Sequence, residues 1–135
     1  MTERAPEPDP EVVELAHHCL DLARAGSAGQ LGDLLDAGLP PDLTNSRGDT
    51  LLILAAYHAH PETVRLLLAH GADPDRVNDN GQTALGAAVF RRDEQSVRAL
   101  LEAGADASLG RQSARVTAEF FDLPEMAALL PPASP

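Results

Sequence analysis

The 135 residues contain no lysine and no tryptophan, a single cysteine, and only four aromatic side chains. Each shortage removes a class of protein. With ten arginines against 21 acidic residues, the formal charge is −11. Affinity for nucleic acid rests on cationic neutralisation of phosphates, and attraction to anionic membranes rests on the same charge, so neither partner is expected. One cysteine, Cys19, excludes an intramolecular disulfide framework. There is no charged-then-apolar leader and no apolar run of membrane length, and the expected compartment is the cytoplasm. Scarce aromatics leave the core to Leu, Ala and Val, and a hydrophobic content of 44% over this length suffices for one domain.

What the chain does have is a period. Gly48-Asp49-Thr50-Leu51-Leu52-Ile53-Leu54-Ala55-Ala56, Pro61 to Leu68 and Gly71-Ala72-Asp73 are followed by Gly81-Gln82-Thr83-Ala84-Leu85-Gly86-Ala87-Ala88, Val97 to Leu101 and Gly104-Ala105-Asp106. Gly48 to Gly81, Thr50 to Thr83, Leu67 to Leu100 and Gly71 to Gly104 are each 33 residues apart, and the same step backwards reaches Gly38, Leu34 and Gly26. A fixed period of this length marks stacked helical repeats.

These residues resemble the ankyrin repeat, whose pattern runs D-x-x-G-x-T-P-L-H-x-A-A, a second helix ending in L-L, then G-A-D. The resemblance covers residues 11–130 and implies an all-α solenoid of about four helix-turn-helix units with β-turn or hairpin loops between them. The units fall near 11–44, 45–77, 78–110 and 111–130, flanked by disordered tails at 1–10 and 131–135. The departures are local. Thr50-Leu51-Leu52-Ile53 and Thr83-Ala84-Leu85-Gly86 lack the Pro and the His, which puts their hydrogen bonding in doubt. The glycine that closes the first helix of a unit is present as Gly26 but replaced by Ala59 and Arg92, which puts helix termination in doubt.

Along the chain, Val12, Leu15, Cys19 and Leu22 lie a turn apart and predict one apolar helix face. Ser27-Ala28-Gly29-Gln30 reads as a capping box opening a second helix with Leu31, Leu34 and Leu35 inward. Helix A is expected over 51–58 and 84–91, and helix B over 61–70 and 94–103, with Pro61 at a first helical position and Asp93 as a cap. The last unit, with Arg115 to Phe121 and Pro124 to Leu130, falls about three residues short of the grid, and the gap is expected between its two helices. Exposed acids on the B helices predict a solvated convex face, with Glu62–Arg65 and Glu94–Arg98 as surface pairs.

No constellation carries convincing chemistry, and no catalytic residue, metal or cofactor is expected. His17 and His18 are adjacent, so on a helix they diverge by about 100° and cannot converge on one ion. Cys19 fits a small buried hydrophobe. Asp73 and Asp75, near Asp42 and Asp106 in the repeat grid, lack the alternating oxygen ligands of a calcium loop and fit turn residues that accept backbone N–H bonds. A cryptic enzyme would have to use His58, His60 or Asp49.

One coincidence points to binding. Tyr57 and Phe90, two of the four aromatics, are 33 residues apart at the end of helix A, followed by His58 and Arg91. The ankyrin resemblance implies that this end and the adjacent loop tips form a concave groove that binds a partner protein. Carried over by position, the groove presents Ser46, Arg47, Asp49, Tyr57 and His58 from one unit and Asp79, Asn80, Gln82, Phe90 and Arg91 from the next. Tyr, Phe and Arg are also the residues in which interfaces concentrate their energy. A partner with an acidic rim and an apolar knob would fit. The bland alternative is that Tyr57 and Phe90 shield helix ends and pack on each other. The expected function is non-catalytic protein–protein interaction by a monomer. Resemblance to small stand-alone bacterial ankyrin proteins implies an accessory role beside a stress or metabolic enzyme. The rival is a structural protein that self-associates around Phe120 and Phe121.

Overall fold

The computed structural model describes residues 9–132, so the parts of the expected tails at 1–8 and 133–135 lie outside the described residues. Within that range the chain forms eight α-helices: α1 (Pro10–Ala25), α2 (Ala28–Asp36), α3 (Leu51–Tyr57), α4 (Pro61–Ala69), α5 (Ala84–Phe90), α6 (Glu94–Glu102), α7 (Ala114–Phe120) and α8 (Pro124–Leu129). Consecutive helices pair, and the odd-numbered helices pack on one another in one row while the even-numbered ones pack in a second. Helices of six to nine residues are marginal in isolation, so neighbouring units must supply the stability. Leu31, Leu52, Val64, Leu67, Leu85, Val97 and Leu100 are fully enclosed between the rows, and Ala55, Ala56 and Ala88 let the odd helices approach closely. No helix among the described residues is long and apolar enough to cross a membrane.

The doubtful hydrogen bonds at the helix starts are made without the Pro and the His. Thr50 Oγ1 accepts from the Ile53 N–H at 3.0 Å, Thr83 Oγ1 from Gly86 at 3.1 Å, and Ser113 Oγ from Val116 at 3.2 Å. Each hydroxyl satisfies a donor that the helix start leaves without a partner. Gly86 at the His position is a packing requirement, since a Cβ there would lie 2.8 Å from the Gln112 carbonyl oxygen.

Helix termination is equally preserved. Gly26, Ala59, Arg92 and Asp122 all adopt left-handed backbone, with φ of 73°, 58°, 56° and 51°. The next residue's N–H then bonds back across the turn in each unit, as from His60 to Ala55 at 2.9 Å and from Leu123 to Ala118 at 2.8 Å. Side-chain-bearing residues in that conformation cost about 1–2 kcal/mol each. Losing the glycine thus changes the strain and leaves the turn unaltered.

Four expectations need correction. Helix α1 starts at Pro10, inside the expected tail, because the Asp9 carboxylate caps it by accepting from the Glu11 N–H at 2.9 Å. Cys19 and Leu22 are buried as expected, but Val12 and Leu15 are 60% and 45% exposed. Helix α1 has 16 residues and packs on the seven-residue α3, so its first turns outrun their neighbour. Ser27 occupies the start of α2 but makes no capping bond. Its ψ is 68°, against 165° at Thr50, and its N–H is already given to the Leu22 carbonyl, so the box cannot close. Finally, the three missing residues of the last unit are not between its helices. Ala84 to Glu94 and Ala114 to Pro124 are both ten residues, whereas α5 to α7 steps by 30 instead of 33, so the deletion lies in the loop before α7.

On the helix-B side the acidic turn residues hold units together. Asp42 accepts from the Asp73 N–H at 2.8 Å, Asp73 from Asp75 at 2.9 Å, and Asp75 from Asp106 at 2.8 Å. Of the two expected surface pairs, Glu94–Arg98 forms at 2.7 Å. Arg65 turns instead to Gln95 of the next unit at 3.5 Å.

Candidate partner-binding groove

The tips that border the groove are built around two asparagines. Asn45 Oδ1 accepts from the N–H groups of Arg47 and Asp49 at 2.9 and 3.0 Å, and Asn78 Oδ1 accepts from Asn80 and Gln82 at 3.0 and 2.9 Å. Such side chains close a turn locally because they mimic a backbone carbonyl. Neighbouring tips are then tied by backbone bonds, from Asp79 N–H to the Arg47 carbonyl at 2.9 Å and from Gln112 N–H to the Gly81 carbonyl at 3.0 Å. The tips therefore stand in a fixed row beside the C-terminal ends of α1, α3, α5 and α7.

Two hollows lie on this face. The larger, about 680 Å³, is lined by Ser46, Arg47, Asp49, Tyr57, His58, Asn80 and Gln82, together with His17, Leu20, Asp21 and Arg24 of α1. The smaller, about 220 Å³, is lined by Ile53, Tyr57, Gln82, Gly86, Ala87, Phe90, Gln112, Thr117 and Phe121. They share Ile53, Tyr57 and Gln82, so they form one continuous surface. Of the ten residues expected in a groove, eight line one hollow or the other. Asp79 and Arg91 stand outside both, exposed at a tip and at the end of α5.

The aromatic side chains run along this surface. Tyr57 and Phe90 stack nearly parallel at 6.2 Å between ring centroids, and Phe121 meets Phe90 edge-on at 5.2 Å. The bland reading of Tyr57 and Phe90 is thus correct as far as it goes. Their rings remain 42% and 43% exposed, so the contact leaves one face of each available. Phe121 escapes the 33-residue grid because of the deletion before α7. Arg24 lies 33 residues before Tyr57 and could have been found by that step. His17, Leu20 and Asp21 join through the extra turns of α1, which have no counterpart in the other units.

The groups an enzyme would need are already committed. Asp49 accepts from Asn45 Nδ2 at 3.2 Å and from Asn78 Nδ2 at 2.7 Å, one on each carboxylate oxygen. His60 Nε2 donates to the Arg24 carbonyl at 2.8 Å, clasping the first unit to the second. His58 lies edge-on to Tyr57 at 5.3 Å. Burial first, then the nearby His60, Arg24 and Arg91, hold its pKa below the ordinary value. Cys19 is enclosed, and burial pushes its thiol up, away from the reactive thiolate. No group of three His, Cys, Asp or Glu among the described residues is placed to hold a metal ion.

On the opposite side, His70 presents Nε2 to Asp36 at 2.8 Å and Nδ1 to the Leu66 carbonyl at 3.0 Å. Both partners are acceptors, so the charged ring fits best, and Asp36 foremost raises its pKa. The two histidines therefore act on stability with opposite signs. The contribution of His58 is present above its unfolded value, near pH 6.5, and is lost as pH falls below it. That of His70 is present below about 6.5 and is lost as pH rises through the raised value. In thermal melts, His58→Gln will flatten the acid flank of the stability profile and His70→Gln the alkaline flank. Unchanged slopes in both variants would contradict these environments.

Comparison with known proteins agrees with this architecture. A family model described as ankyrin repeats in three copies matches residues 21–110. A Pseudomonas aeruginosa chain named as an ankyrin repeat protein, PA3287, is 54% identical over 61 residues, which is 45% of this chain and 36% of that one. The crystal structure of the human ASB11 ankyrin repeat domain superposes with a TM-score of 0.75 at 26% identity, over 82% of this chain and 51% of that one. The chain thus spans little more than a third of the one relative and about half of the other. Ankyrin repeats are in general protein–protein interaction modules on a typically non-catalytic scaffold. With the family model covering two thirds of its length and the same stacked helix pairs in its fold, the chain belongs to the ankyrin repeat family.

Proposed function

We propose that this chain is a non-catalytic module that binds a partner protein through the concave surface between the tips and the ends of α1, α3 and α5. The observation that carries the reading is the row of half-exposed rings from Tyr57 through Phe90 to Phe121, set in a continuous hollow. Fixed aromatic side chains with one free face lose little conformational freedom on binding and bury large area, which is where interface energy concentrates. In this reading the protein works as a cytoplasmic monomer, as an accessory to a stress or metabolic enzyme.

Phe120, 79% exposed on α7, favours the rival of self-association through the last unit. Hydrogen exchange on the complex with a captured partner separates the two. Protection at 46–49, 57–58, 79–82 and 90–91, with the exposed face of α4 and α6 unchanged, is the expected footprint. Protection confined to α7 and α8 that grows with protein concentration would replace the groove by a self-association surface.

A further inference from the structure

The charge on the groove differs from that on the rest of the molecule. The chain carries −11 overall, and the exposed faces of the even-numbered helices show Asp33, Asp36, Glu62, Glu94 and Glu102 to solvent. On the concave side the acids are spent. Asp21 is paired with Arg24 at 2.7 Å, and both oxygens of Asp49 are filled by asparagine amides. Arg47, at the rim of the larger hollow, and Arg91, beside His58, make no ion pair among the described residues. The cationic character ends at the last unit, where Glu119 and Asp122 are exposed.

Resting on the groove reading above, we infer that the partner's contact segment is an acidic peptide with one bulky apolar side chain. That side chain enters the smaller hollow between Tyr57, Phe90 and Phe121, and the carboxylates beside it lie over Arg47 and Arg91. The smaller hollow measures about 220 Å³. A cavity of about 150 Å³ holds benzene, so there is room for one aromatic or large aliphatic group. The acidic convex side repels such a segment while the concave side attracts it, so charge sets both the face and the approach. A basic segment would be drawn to the wrong side.

Random linear peptides displayed on phage, selected on the full chain, supply the probe. The selected peptides are enriched in Asp and Glu flanking a Phe, Leu, Met or Trp. The charge-reversed variant Arg47→Glu with Arg91→Glu binds them about tenfold more weakly, and added salt weakens binding to the native chain. Both arginines are exposed and outside the core, so the variant folds, which its thermal melt checks. Arg65→Glu on α4 leaves binding unchanged. No selected peptides, peptides without acidic enrichment, or equal binding by the reversed variant would overturn the acidic assignment. Peptides that bind equally well to Tyr57→Ala with Phe90→Ala would instead overturn the groove reading itself, and a loss there without acidic enrichment would leave that reading standing alone.

Discussion

Replacing Leu67 by alanine will remove about 2–5 kcal/mol of stability, a large share of the roughly 5–15 kcal/mol that a domain possesses. Leu67 is fully buried, and its helix α4 contacts α2, α3 and α6. Its carbonyl also accepts the Ala72 N–H at 3.0 Å, which fixes the exit from the helix. The side chain therefore fills space contributed by three units that cannot close independently. In a stacked array, each unit's stability includes the interfaces on both sides, so a cavity in the second unit weakens the first and third as well. The loss should appear as a shift of the whole urea transition, with the same midpoint by circular dichroism and by Tyr57 fluorescence. The matching change Leu130→Ala, at the open end of the stack, should cost less, because that residue has a neighbour on one side only. Equal costs at the two positions would mean that the units fold without support from one another.

Much of this architecture was legible because the same local physics repeats. Thr50 and Thr83 cap helices in identical ways, and Leu67 and Leu100 fall on the same buried stripe. The spacing alone was enough to find them. What was not legible depended on where the period breaks or on which side chains reach across units. Phe121 completes the aromatic row, yet the deletion before α7 moves it off the grid. The exposed start of α1 could not be read because apolar spacing shows which face is apolar but not how far the neighbouring helix extends. The left-handed turns at Ala59, Arg92 and Asp122 ran against local preference, and the packing of each helix pair overrode it. Asp49 was singled out as a contact residue, but its carboxylate is held by an asparagine 29 residues away, a partner no local pattern reveals.

The groove itself rests on two side chains. Tyr57 and Phe90 touch at 6.2 Å and are little more than half buried, so truncating both will cost the fold only about 0.5–1.5 kcal/mol from their pairing plus part of their buried area. Central aromatic anchors at interfaces are worth about 2 kcal/mol or more each when removed, which is roughly a 30-fold loss of affinity apiece. The most direct test is thus the affinity of the captured partner for the chain carrying Tyr57→Ala with Phe90→Ala, measured beside its thermal melt. A native-like melt with partner binding reduced beyond detection is the predicted result. A native-like melt with the partner bound as tightly as before would contradict the assignment of this face.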